Sequence, residues 1–317
     1  MAYSFLSLPR YYIPQDSITV DELGKVERFT SDVDRLSTRE AYERISVAST
    51  ETLTDMAALV GQLVLEREQL APDDIGAVIF CHHWEDEEWH RLHPFRLHSA
   101  LRLPSHVEVL ELRTGNSGTL IKAVDMAILM LRGEEVLQNI LIIGSDKINR
   151  RLMPRRYRNQ IFGDAAVGCI VSRRDLAFQI ISRAMPTVFS SFNDLQVLDG
   201  QSEAAWMAEM QRAVGSSLPA LLNATNIDRD SIAVVIVPNA GPSMLDRIAS
   251  VTGISQQRIR APSRSRVAHA ATSDIFLNLS QVSESGELTT GMHILLLALG
   301  LGGSCHVMLL CATGAGY

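Results

Sequence analysis

Apolar positions along this chain follow two alternating patterns. "ETLTDMAALVGQLVLEREQL" has the three-and-four spacing of a helix with a buried face. "APDDIGAVIF" follows as a short continuous apolar run, led in by Asp73 and Asp74. The same pair returns far along the chain, where "AAWMAEMQRAVGSSLPALLNATN" reads as a helix and Asp230 in "IDRDSIAVVIV" leads into a similar strand. Each copy continues with another helix and strand: "LIKAVDMAILMLRG" with "NILIIGSD", then "SDIFLNLSQVSESG" with "HILLLALGLGG". Strands this uniformly apolar are covered on both faces, so the pattern predicts an α/β protein with mostly parallel mixed sheets. Its repetition predicts two similar halves, 1–175 and 176–317, with a site at their junction.

A chain of 317 residues that is 46% hydrophobic is long enough to bury such a double core. No apolar stretch reaches the roughly 18 residues of a bilayer span and no basic leader precedes one, so no membrane association is expected. Cys81, Cys169, Cys305 and Cys311 lack CxxC spacing, which argues against a disulfide framework or structural zinc and suits a reducing cytoplasm. A net charge of −7 excludes a general nucleic-acid signature, although arginines gather in "NRRLMPRRYR" and "RIRAPSRSR".

The segment "CHHWEDEEWHRLHPFRLH" holds His82, His83, His90, His93 and His98. Such density raises the question of a metal, but no His-Glu-x-x-His or other common ligand spacing is present. A solvated or interfacial loop is the reading preferred, with no metal and no cofactor. Trp84 and Trp89 fit a subunit contact equally well.

Taken in order, "DDIGAVIF", the elbow "RTGNSG" with its helix, "LIIGSD", "IFGDAAVGCIVS", "IVPNAGPSMLDRIASVTGI", "AHAATSD" and "LGLGGS" resemble a β-ketoacyl-ACP synthase III of the thiolase fold over nearly the whole chain. "FGDAAVGCIV" is the most specific piece, because the family carries Phe-Gly-Asp-Gly-Ala there. The resemblance implies a five-layered α/β arrangement, a homodimer or a heterodimer with a ketosynthase relative, and acyl groups carried on coenzyme A or acyl carrier protein. It also implies a cysteine at the elbow, where the helix dipole favours a thiolate, faced by a histidine and an asparagine. At those positions this chain has Asn116, Asn239 and Ala271.

An amide is no practical nucleophile, Ala271 offers no donor, and Asn239 cannot transfer a proton, so ordinary decarboxylative condensation is not expected. Decarboxylases with an amide at the cysteine position keep the facing donors, and this chain does not. Ser117 remains as the elbow's nucleophile candidate, with His269, His306, His82 and His83 as possible bases. The plainer reading makes Ser117 a helix cap, and it is preferred over catalysis. Gly302 and Gly303 resemble the turn that lends N–H groups to an acyl oxyanion. Arg150, Arg151, Arg155, Arg156, Arg258 and Arg260 flank these motifs and suit an anionic carrier protein or coenzyme A phosphates. "VDELGKVERFTSD" has no clear aromatic to stack on adenine, which favours carrier protein. Two functions stay open: a non-catalytic partner subunit of an active ketosynthase, which is preferred, or an unconventional acyltransferase working through Ser117. A metal-assisted enzyme is a weaker third.

Overall fold

The computed structural model describes residues 3–84, 92–113, 116–157, 160–185, 200–300 and 304–315. The chain begins with β1 (Phe5–Leu6), β2 (Arg10–Tyr12), β3 (Ser17–Thr19), α1 (Val20–Glu27) and β4 (Arg44–Ser46), which pairs with β3. Next come α2 (Leu53–Glu68), β5 (Ala77–Cys81), α3 (His93–Ala100), β6 (Glu108–Leu112), α4 (Thr119–Gly133) and β7 (Asn139–Asp146). A small pair, β8 (Arg156–Tyr157) and β9 (Gln160–Ile161), leads to β10 (Ala165–Ser172) and β11 (Phe178–Ala184). The remainder is α5 (Gly200–Thr225), β12 (Ile232–Ile236), α6 (Pro242–Thr252), β13 (Ile259–Arg260), α7 (Arg264–Val267), α8 (Asp274–Glu284), β14 (His293–Gly300) and β15 (Ser304–Ala312).

The helices begin and end for local reasons. Thr52 and Asp55 exchange side-chain and backbone bonds at the start of α2, a capping box. Pro242 occupies the first turn of α6, and Gly253 ends that helix in the left-handed conformation at φ 66°.

The main sheet runs β13-β12-β14-β15-β11-β1-β10-β7-β5-β6, with β2 also paired to β10. On one flank β5 lies parallel to β6 and β7, and β7 is antiparallel to β10. The other flank repeats this, with β12 parallel to β13 and β14, and β14 antiparallel to β15.

Side chains alternate across each strand and so sort the helices into layers. Ile79, Cys81 and Ile142 join Val234, Ile236 and Leu296 in one core around α4 and α8. Val78, Phe80 and Leu141 face α2 and α3, while Val235, Leu295 and Leu297 face α5 and α6. The layers are therefore α2/α3, first flank, α4/α8, second flank and α5/α6. Among the described residues no helix is long and apolar enough to cross a membrane. The carboxyl ends of the parallel strands β5, β7 and β12 lead directly to His82, Asp146 and Asn239, the usual place for a ligand crevice in an α/β sheet.

Candidate active site

The elbow Asn116–Gly118 is a single 3-10 turn running into α4. Gly118 holds the cap position, and among the described residues no side chain caps the helix. The expected capping role of Ser117 is thus not formed. Ser117 is buried, and its hydroxyl has no hydrogen-bond partner among the described residues. Gly302, Gly303 and the side chain of Asn116 lie outside the described residues.

His306, on β15, packs on this elbow so closely that a Cβ at Gly118 would lie 2.5 Å from its Cδ2. The ring is buried and Nδ1 has no hydrogen-bond partner among the described residues. Burial, with help from the Lys122 ammonium on the first turn of α4, lowers its pKa to about 4, so the imidazole is neutral at physiological pH.

His269 lies on the other wall. Its Nδ1 is hydrogen-bonded to the Asp274 carboxylate at the start of α8, and the following turn, Ala271–Ser273, packs against the elbow. Asp274 is wholly buried and accepts two further bonds, from Asn239 N at 2.9 Å and Ala270 N at 2.8 Å. With Nδ1 engaged, the tautomer that puts the proton on Nδ1 leaves Nε2 as an acceptor. Asp274 is absent from the sequence candidates; its one sequence signal is an acidic residue opening the helix "SDIFLNLSQ".

The Phe-Gly-Asp motif holds His269 in place. The backbone of His269 is pinned between Ile161 O (2.8 Å) and Gly163 N (3.1 Å), and the Phe162 ring lies 5.3 Å from its imidazole. Glycine is required at 163, since a Cβ there would sit 1.8 Å from Val267 O. Asp164 anchors the motif, accepting from Ala48 N and Ile148 N and from both terminal nitrogens of Arg155.

The described part of the histidine-rich segment is built into the same wall. Asp146 accepts from His83 N, Trp84 N and Thr272 N, tying the end of β5 to the His269 side of the site. Trp84 stacks edge-on between His83 and Phe162, with centroids 4.2 and 5.1 Å away. Burial holds His83 below the ordinary histidine range; Asp146 opposes this, while His269 and Arg113 reinforce it. His82 bonds Glu111 at 2.8 Å, His93 bonds Thr54, and His98 bonds the Pro104 carbonyl. His90 and Trp89 lie outside the described residues. Among the described residues no three His, Cys, Asp or Glu side chains come together as metal ligands.

Asn239 faces inward. It is fully buried, and its amide bonds Ser263 Oγ and Ala268 O, each at 2.8 Å. Ala271 sits on the turn beside the elbow with a φ of 42°.

The arginines separate. Arg155 is 2% exposed and both its terminal nitrogens are engaged by Asp164 and Phe162 O, so it has no surface to offer a carrier protein. Arg156 pairs with Asp32 and lies over the Phe29 ring, Arg258 bonds the Asp230 and Ile232 carbonyls, and Arg260 forms a two-point pair with Glu287. These three hold the fold together as well. Arg150 and Arg151 are exposed and line a shallow surface hollow with Glu27, Leu152, Met153 and Pro154.

A family profile, the C-terminal region of 3-oxoacyl-[acyl-carrier-protein] synthase III, matches residues 222–317. The β-ketoacyl-[acyl-carrier-protein] synthase III of Rickettsia typhi is 24% identical over 308 residues, covering 92% of this chain and 94% of its own. Among solved structures, ChlB3, described as an acyltransferase, superposes with a TM-score of 0.85 at 16% identity over 99% of both chains. OleA of Xanthomonas campestris superposes with a TM-score of 0.83 at 14% identity over 98% of both.

Proposed function

Since this chain is β-ketoacyl-ACP synthase III-like and has the thiolase fold, we propose that it is an acyltransferase of fatty-acid or polyketide-type metabolism, working through Ser117. One observation carries the reading: a buried serine hydroxyl that caps nothing among the described residues stands at a helix N-terminus, and the turn packed against it is flanked by the two partners of a histidine–carboxylate pair, His269 before it and Asp274 after it. The donor is an acyl thioester on acyl carrier protein or coenzyme A. Ser117 Oγ attacks the thioester carbonyl carbon, and His269 Nε2 takes the hydroxyl proton. Asp274 fixes the tautomer and steadies the imidazolium that forms.

As the carbon–sulfur bond breaks, the imidazolium returns its proton to the departing thiolate. The acyl group is left as an ester on Ser117. An acceptor hydroxyl or amine reverses the sequence, giving its proton to His269 and releasing Ser117. The positive end of α4 favours the oxyanion of both tetrahedral intermediates. On this reading Asn116, Asn239 and Ala271 take no part in bond making, and no decarboxylation is involved. Arg150 and Arg151 remain as the surface offered to an anionic carrier.

Intact-protein mass spectrometry after incubation with acyl-carrier-protein and acyl-coenzyme A thioesters tests the reading. The expected result is a gain of one acyl group, lost in Ser117→Ala and slowed by about 10³–10⁴-fold in Asp274→Asn. An unchanged mass with the thioesters unconsumed overturns it and leaves a non-catalytic partner subunit as the better description.

A further inference from the structure

We infer that Asn239 is a positioning residue for His269: a closed ring of buried hydrogen bonds through Asn239, Ser263 and Asn278 holds the Ala268 carbonyl, and so the backbone that aims the imidazole. The inference rests on the acyltransferase reading for its catalytic meaning, but not for its geometry.

The ring can be traced hydrogen by hydrogen. Asn278 Nδ2 donates to Asn239 Oδ1 at 2.9 Å, Asn239 Nδ2 donates to Ser263 Oγ at 2.8 Å, and Ser263 Oγ donates to Asn278 Oδ1 at 2.7 Å. Each amide has one hydrogen left. That of Asn278 goes to Val237 O at 2.9 Å, just before Asn239, and that of Asn239 goes to Ala268 O at 2.8 Å. All five polar side-chain hydrogens are placed, and none of the three residues is more than 1% exposed. A buried network with every member satisfied is stiff, because no bond can be exchanged for water.

What the network holds explains its cost. Ala268 has φ 66° and ψ −157°, a region that residues other than glycine reach only under constraint from their surroundings. The bond from Asn239 is one constraint; the bond from Ala268 N to Arg264 O at 3.1 Å is another. His269 is the next residue. Asn239 also donates its backbone N–H to Asp274 Oδ2, so one residue steadies both partners of the histidine–carboxylate pair.

An asparagine suits this place where a histidine does not. The site asks for two donors and an acceptor on one short side chain, and a neutral imidazole has one of each. A group at 239 that instead faced the elbow would leave Ala268 O and one hydrogen of Asn278 Nδ2 unpaired in the interior.

The test uses the full chain with Asn239→Ala and, as a gentler change, Ser263→Ala, each checked for folding by circular dichroism. Two quantities are read: the low-field proton resonance of His269 Nδ1–H against Asp274, and the rate of Ser117 acylation. Positioning predicts a shifted or broadened resonance in both variants and acylation slower by about 10²-fold. It also predicts that Asn239→Ala adds no further loss in a His269→Ala background. An unaltered resonance in both folded variants, or a full additional loss in the double variant, overturns the inference. Wild-type protein that is never acylated, with a resonance that still responds, overturns the acyltransferase reading and leaves the positioning role standing.

Discussion

Arg155 grips Asp164 through both terminal nitrogens, at 2.9 and 2.6 Å, where neither side chain reaches solvent. The carboxylate also collects the Ala48 and Ile148 N–H groups, so three distant stretches of chain meet on it. Removing one partner strands the other charge in the interior. Arg155→Ala is therefore expected to destabilise the fold by about 3–5 kcal/mol, measured by urea unfolding. An arginine reserved for a carrier protein would leave unfolding unchanged and weaken only carrier binding, and that outcome would sink this assignment.

Gly163 and Val267 supply the second prediction. Alanine at 163 places a methyl group 1.8 Å from the Val267 carbonyl, and backbone cannot yield as a flexible side chain does. The His269 segment must then separate from Phe162. Gly163→Ala is expected to lower the unfolding midpoint and to cost Ser117 acylation more than Ala166→Gly, a control on the neighbouring strand. Equal acylation in the two variants would show that the motif does not hold the site.

Two histidines give stability slopes of opposite sign with pH. His306 is depressed from 6.5 to about 4 in the fold, so between those values the unfolded chain takes up a proton that the folded chain refuses. Its contribution is complete above pH 6.5 and is lost as the pH falls toward 4, a change on the order of 3 kcal/mol. His82 runs the other way: burial lowers it, but the Glu111 carboxylate, the Trp84 carbonyl and Asp146 together outweigh burial and raise it. Its contribution is present below pH 6.5 and is lost as the pH rises through its folded value. His306→Phe should flatten the acid side of the stability profile, and His82→Phe the neutral-to-alkaline side. Unfolding curves from pH 4 to 8.5 check both, and parallel profiles for wild type and His306→Phe would contradict the first.

The alternation of helix and strand was legible in the chain because long periodic runs carry their own signal. "LIKAVDMAILMLRG" became α4, and "NILIIGSD" became β7 with its limits unchanged. The Phe162-Gly163-Asp164 motif was also legible, since its glycine answers a close approach of backbone. The uses of polar side chains were not. Nothing local tells a buried Arg155 from an exposed Arg151 a few residues earlier, because the difference lies in Asp164 folding back onto one of them. Ser117 looked like a cap because it precedes a helix, yet the turn reaches α4 through Gly118 instead. The ring of Asn239, Ser263 and Asn278 is drawn from three separate segments and had no signature in any of them.

Ala268 provides the last prediction, through a comparison with Ala270. Both are fully buried, and an ordinary buried alanine loses about 0.8 kcal/mol of methyl burial and about 0.5–1 kcal/mol of chain entropy when replaced by glycine. At φ 66° and ψ −157°, however, Ala268 carries strain of about 1–3 kcal/mol that glycine relieves. Ala270, at φ −92°, carries none of that kind. Ala268→Gly is therefore expected to lower the urea midpoint less than Ala270→Gly does, or to raise it. Relief has a second effect, because the strained residue immediately precedes His269 and glycine loosens the path between the Asn239 bond and the imidazole. Acylation of Ser117 should slow in Ala268→Gly more than the small change in stability accounts for. A lowered midpoint equal to that of Ala270→Gly would show that the left-handed conformation at 268 stores no strain, and unchanged acylation would show that its rigidity does not serve His269.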